Sequence, residues 1–491
     1  MRVATGASIG LAIFGLAIFT AAGSVAKPAA KDVATCKGGA THELRLEACA
    51  RLIQSGELDS GTLVLAYTLR GFIYNEMKEY DRAIAELSQA LRYNPRNAAI
   101  FDNRARSYFY KNDYDRSIAD FTEAIRLDPK YSNIHALITS RGTAYREKGE
   151  FKSALADYNE ALRINPKFAQ ALAARGAAYF LLKDFDRALA DVNEAIRVDP
   201  KEFEAYSKRA EIHVEKNNFE RALADYNTSI RLSPNWSGAY FGLGVLYFKT
   251  NDADRSIASL SQAIRLYPAS YESHLWRGQA YLAKKAYEQA VVDFAEAIRL
   301  QPNSTDAYNN RGLAYAYLGR NEPAMADLNE ALRINPQDAR PYNNRGLVYN
   351  NMGQFDRAIA ELNEAIRLLP TIAQPYKDRA ISYEGKQDYE NAIVDFQRAL
   401  SINPKMPEAI DGLARAEQKK MAQAAMASGM MLVLGNGVER DPVQAYRWFA
   451  IAASFFPPGP EREEALASRD RVASQMSPAE LASAQKPPQQ Q

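Results

Sequence analysis

Four histidines, His42, His135, His213 and His274, and two cysteines, Cys36 and Cys49, are the side chains of this 491-residue chain best suited to proton transfer, nucleophilic attack or metal binding. Three of the histidines are scattered along the chain, too far apart to converge on one metal or one base. Only His42 stands near the cysteines, which is too few ligands for zinc. No phosphate-cradling Gly-Lys loop and no zinc-ligand spacing occurs, and Gly242-x-Gly244 lies inside a helical stretch rather than at a nucleotide-binding turn. The sequence therefore predicts no catalytic residue, no metal, no cofactor and no enzyme activity.

A different chemistry recurs instead. Nine arginines, Arg70, Arg104, Arg141, Arg175, Arg209, Arg277, Arg311, Arg345 and Arg379, are each followed 16 residues later by an acid: Glu86, Asp120, Asp157, Asp191, Asp225, Asp293, Asp327, Glu361 and Asp395. Where the pattern fails once, both members fail together, as Leu243 and Ser259. Paired loss places each ion pair within one local unit, because pairing between neighbours would have orphaned Asp225 and Arg277. Removing one partner of a buried pair costs on the order of 3–5 kcal/mol. These arginines, Arg311–Asp327 and Arg345–Glu361 among them, read as structural. With a net charge of only +2, nothing suggests a nucleic-acid surface.

The elements that position these pairs follow from ten prolines, Pro95, Pro129, Pro166, Pro200, Pro234, Pro268, Pro302, Pro336, Pro370 and Pro404. Eight of their nine gaps are 34 residues and the second is 37, the mark of a stacked-repeat architecture. With each proline at position 32, the repeats begin at Val64, Ala98, His135, Ala169, Phe203, Ser237, Tyr271, Thr305, Ala339 and Ala373. Small residues hold positions 8, 20 and 27, Tyr holds position 11 in nine repeats, and position 24 is large and apolar. This spacing predicts two short amphipathic helices, A and B, in each repeat. Proline ends helix B because it lacks an N–H and clashes with the preceding turn. Acids cluster at positions 18, 23 and 26, read here as helix caps, partners of the arginines, and i,i+3 partners of Arg at position 29. The three extra residues before repeat three either start its A helix early or lengthen the loop.

Over residues 64–406 the chain resembles the tetratricopeptide repeat (TPR) family, with Tyr308, Gly312, Tyr315, Ala324, Leu328, Ala331 and Pro336 at the motif positions of one repeat. The resemblance implies an all-α, right-handed superhelical solenoid of ten helical hairpins whose A helices line a concave groove for a protein or peptide. Gly435-Asn436-Gly437, Asp441-Pro442, Ala445, Trp448 and Ala452-Ala453 resemble a single Sel1-like repeat within a C-terminal helical cap over 407–456, preceded by an eleventh A helix over 407–423 without a clear partner. A polar helix and a disordered tail are expected over 457–491.

Residues 1–26 read as a secretory signal, with Arg2 as the only charge, an apolar run from Ile9 to Phe19, and small residues before Lys27. An uncleaved membrane anchor is the alternative. Export would place the chain outside the cytoplasm, in a bacterial periplasm, or tethered to the inner membrane as an assembly factor recruiting cell-envelope enzymes. In an exported chain, Cys36 and Cys49 suggest one disulfide stapling an N-terminal cap over 27–63, with a lone helix B near Glu43–Gln54.

If A helices line the groove, positions 2, 5, 6, 9, 12 and 13 face a partner. Repeats six and seven then present Phe241, Val245, Phe248, Leu275, Trp276 and Leu282 as an apolar groove, unless these contact a facing helix or a second copy. Repeats eight and nine present Asn309, Asn310, Asn343 and Asn344, amides able to bond an extended peptide backbone, with Arg340 and Lys377 nearby. The carboxylate clamp of chaperone-binding members is not found. The function expected is a non-catalytic interaction scaffold; a carbohydrate-binding or enzymatic C-terminal segment is the remote alternative.

Overall fold

A computed structural model describes residues 27–55 and 59–486; the candidate signal (1–26) and the last residues of the tail lie outside them. Every regular element among the described residues is an α-helix. The chain divides into two compact bodies, one ending at Pro268 and the other beginning at Ala269, so repeats one to six belong to the first and repeats seven to ten to the second.

Each repeat is the expected hairpin. In repeat eight, helix A is Thr305–Tyr317 and helix B is Asn321–Ile334. The A–B turn reverses the chain within a few residues, which requires left-handed backbone at position 15. Lys78, Asn112, Gly149, Lys183, Asn217, Asn251, Lys285, Gly319, Gly353 and Gln387 all adopt it, with φ between 57° and 88°. Helix B is capped from position 16, where Asp113, Asp184, Asp252 and Asp388 accept from backbone N–H groups in the first turn. The acids at position 18 are therefore not the caps. Several of them pair instead with a basic residue at position 14 of the next repeat, as in Asp186–Lys216 at 3.0 Å and Asp356–Lys386 at 2.5 Å.

Packing explains the small residues. A Cβ on Gly312 would stand 2.8 Å from Leu328 Cγ, closer than two carbons tolerate, so position 8 must be small for helices A and B to touch. Leu328, Ala324 and Ala331 are completely buried, as are their counterparts in other repeats. Repeat three absorbs its three extra residues in both expected ways: its A helix, Ile134–Lys148, starts one residue early and the preceding loop carries the rest.

The ends depart from expectation. The helix His42–Gln54 is not alone, because Lys27–Lys37 packs against it as a second cap helix, joined by the Cys36–Cys49 disulfide. Cys36, Cys49, Leu52, Leu69 and Ile73 form one core, which seats this cap on repeat one. At the other end the eleventh A helix does not stop near Gln423. Ala-rich sequence with no proline after the first residue carries it unbroken from Pro407 to Leu434, where Gly435 at φ 72° ends it. It has partners, packing on helix B of repeat ten and on the helix Pro442–Phe455, which Asp441 caps. The helices Pro460–Ala473 and Pro478–Ala484 fold back over Pro442–Phe455.

Candidate functional site

All nine arginine–acid pairs are ion pairs between helices A and B of one repeat, at 2.6–2.9 Å. The seven aspartates take a fork. In Arg311–Asp327, Nε donates to Oδ2 and Nη2 to Oδ1, both at 2.7 Å. The two glutamates do not: Arg345 Nε and Arg70 Nε are buried without an acceptor. Burial raises the carboxyl pKa of Glu86 and of Glu361, with the neighbouring arginine pulling each back only in part.

The arginines also reach across repeats. Nη1 of Arg175, Arg209 and Arg379 donates to Asn159, Asn193 and Asn363, each on helix B of the preceding repeat. Position 25, polar in nine repeats, carried this signal in the sequence. These arginines join three helices, and all nine are engaged by their acids rather than presented to a ligand. Repeat six replaces the pair by apolar packing: Leu243 sits in a core with Tyr226 and Leu246.

The A helices of successive repeats touch within each body, whereas successive B helices make no comparable contact, so A helices lie on the inside of each stack's curve. In the first body the A helices carry charged pairs, Asp102–Arg106 at 2.8 Å, Arg146–Glu147 at 2.6 Å, Lys208–Glu211 at 2.6 Å and Glu215–Lys249 at 2.9 Å, together with an asparagine, Asn75, that donates to the Asn103 carbonyl and accepts from Ser107. Phe241, Val245 and Phe248 are half-buried in this body. Trp276 is half-buried in the second, and Leu275 is not a lining residue, since it packs in the core with Phe294, Ala297 and Ala307.

The second body carries an amide-rich inner surface over repeats eight to ten. Asn344 Nδ2 donates to Asn309 Oδ1 at 2.9 Å, and Asn309 Nδ2 donates to Asn310 Oδ1 at 3.1 Å. Asn350 donates to the carbonyl of Asp378 and accepts from Ser382, while Asn351 donates to the carbonyl of Ala316. Asn309 and Asn344 are buried and form the floor; Asn310 and Asn343 stay half-exposed above it. Asn343 Oδ1 is buried without a donor among the described residues. The nearest charges are taken, Lys377 by Asp378, and Arg340 by Asp306 and Asp338. What remains is a surface of neutral hydrogen-bonding groups, with Asn310 and Asn343 its half-exposed members. The sequence pointed to four of these asparagines and missed Asn350 and Asn351, whose signal was an Asn-Asn pair at positions 12 and 13 of the same A helix.

The histidines have local roles. His274 Nδ1 lies 3.2 Å from Asp293 Oδ1, beside the Arg277 fork. His135 stands 3.3 Å from the Asn165 amide and His42 3.3 Å from Glu76. His213 replaces the tyrosine of position 11 and is buried, which lowers its pKa. No group of metal-ligating side chains is assembled among the described residues, and no described helix is long and apolar enough to cross a membrane.

Four tetratricopeptide family models match the chain: a TPR repeat model at residues 142–183, 210–251 and 314–353, and tetratricopeptide repeat models at 64–97, 98–131, 169–202, 241–305, 339–371 and 378–406. The chain belongs to the tetratricopeptide repeat family. Among solved structures it is similar to YrrB, described as a TPR protein with an unusual peptide-binding site, at 22% identity over 38% of this chain and 95% of that one with a TM-score of 0.32. It is also similar to yeast Tom70, at 17% identity over 85% and 97% of the two chains with a TM-score of 0.36. A third similar structure is the APC/C hetero-tetramer Cut9–Hcn1, at 14% identity over 88% and 93% with a TM-score of 0.40. No curated protein matches the chain.

Proposed function

We propose that this chain is a non-catalytic scaffold that holds an extended segment of a partner protein along the A helices of repeats eight to ten. TPR proteins generally bind protein or peptide partners, and this surface has the chemistry for one. The observation that carries the reading is the asparagine array, in which Asn310 and Asn343 stand half-exposed over the buried, hydrogen-bonded Asn309 and Asn344. Amides that both donate and accept suit a peptide backbone, and a neutral surface does not demand a charged partner.

Export supports the same reading. The leader-like composition of residues 1–26 and the disulfide closing the cap both fit a chain that works outside the cytoplasm. Sequencing the N-terminus of the mature protein separates the cases: Lys27 at the start means a free exported chain, and Met1 means a tethered or unexported one. Affinity capture from a cell-envelope extract, with the parent chain against the double variant Asn310→Ala, Asn343→Ala, tests the binding surface. A protein recovered by the parent and lost with the variant supports it; equal recovery by both refutes it.

A further inference from the structure

We propose that the chain pairs with a second copy of itself through the outer face of the helix Pro407–Leu434. From Met421 to Val438 the sequence holds no charged residue. One face of this helix, Ala422, Ala425 and Gly429, is buried against the helices that follow; a Cβ on Gly429 would stand 2.7 Å from the Phe449 ring. The opposite face is exposed. There Ala424, Ala427, Met431 and Leu434 recur in alternating steps of three and four, the spacing of a seam between two packed helices. Met431 is 46% exposed, Leu434 53% and the flanking Met430 47%. Trp448 and Ile451 add exposed apolar surface on the adjoining helix of the same hairpin.

The outer face of this helix is an uncharged seam whose exposed side chains, with Trp448 and Ile451, present roughly 500 Å² of apolar surface, near the upper end of what a lone soluble chain shows. Two copies together would cover about 1,000 Å², the threshold of a specific interface. Small residues at the seam's centre, Ala424 and Ala427, let two helix backbones approach, as a second identical helix requires. A two-fold axis midway between Ala427 and Met431 lays the two seams antiparallel, with Met431 of one copy over Ala427 of the other and Leu434 over Ala424. This surface is separate from the asparagine array, so either proposal stands without the other.

Sedimentation equilibrium of the full chain tests the pairing. The parent is expected to form a dimer at micromolar concentration. Ala427→Glu, which sets a charge against Met431 of the other copy, should weaken the dimer at least tenfold while leaving the circular dichroism spectrum unchanged. Met431→Gln, a gentler change on the same exposed face, should weaken it less. A parent that stays monomeric throughout, or an Ala427→Glu variant that dimerises as tightly as the parent, overturns the proposal. So does a monomeric parent that co-sediments with phosphatidylcholine vesicles, which would assign the face to lipid.

Discussion

Arg345 holds Glu361 by a single nitrogen: Nη2 stands 2.6 Å from Oε1, while Nε, buried beside it, meets no acceptor. One repeat earlier, Arg311 grips Asp327 through both Nε and Nη2. The extra methylene of glutamate pushes the carboxylate past the fork. Glu361→Asp is therefore expected to recover the second bond and raise stability by about 1 kcal/mol. Burial raises the Glu361 pKa, so the wild-type group favours the fold in acid and loses that contribution as pH rises through its folded value. The gain from the variant should accordingly be larger at pH 7 than at pH 4, and thermal melts at the two pH values check it.

Arg311→Ala leaves Asp327 buried without its partner, a cost on the order of 3–5 kcal/mol. Repeat six shows that the pair can be exchanged for Leu and Ser together. The double variant Arg311→Leu, Asp327→Ser should thus be more stable than Arg311→Ala alone, and urea unfolding of the two decides it.

Asp293 gives the opposite pH sign to Glu361. Burial works to raise its pKa, but hydrogen bonds from Arg277 and His274 outweigh this and hold it below the usual carboxylate value. Its stabilisation is complete above the unfolded pKa, near 4, and is lost as pH falls through the lower folded value. Asp293→Asn should flatten the acid limb of a stability profile recorded between pH 2 and 6, as well as lowering the plateau.

Lys183 occupies the left-handed turn at φ 61°, where Gly149, Gly319 and Gly353 serve in other repeats. A side chain there costs roughly 1–2 kcal/mol, partly offset in glycine by the greater entropy of the unfolded chain. Lys183→Gly should raise the melting temperature slightly, whereas Lys183→Val should lower it.

The sequence carried most of this fold because every repeat restates the same constraints. Ten copies of small-8 and Pro-32, with Tyr-11 in nine of them, make helix boundaries legible, and the joint replacement of arginine and acid by Leu243 and Ser259 exposed the ion pairs as intra-repeat contacts. Less legible were features that depend on a neighbouring repeat, such as the position-25 partners of the arginines and the Lys216–Asp186 link, whose members stand far apart in sequence. Residues near a turn were also misread, with the cap placed at position 18 rather than 16. Leu275 looked like a lining residue by helical position alone, but packing against Phe294 turned it inward. The cap at 407–434 was hardest to place, because helix-forming alanines run on where no proline or glycine stops them.

The asparagine surface is the place where another chain is proposed to be held. Calorimetric titration with peptides selected from a random library against the full protein measures this most directly. The account predicts that such peptides bind the parent and lose at least tenfold in affinity with Asn310→Ala, Asn343→Ala, while the melting temperature stays unchanged. Peptides that bind parent and variant equally, or a library that yields no binder, would contradict it.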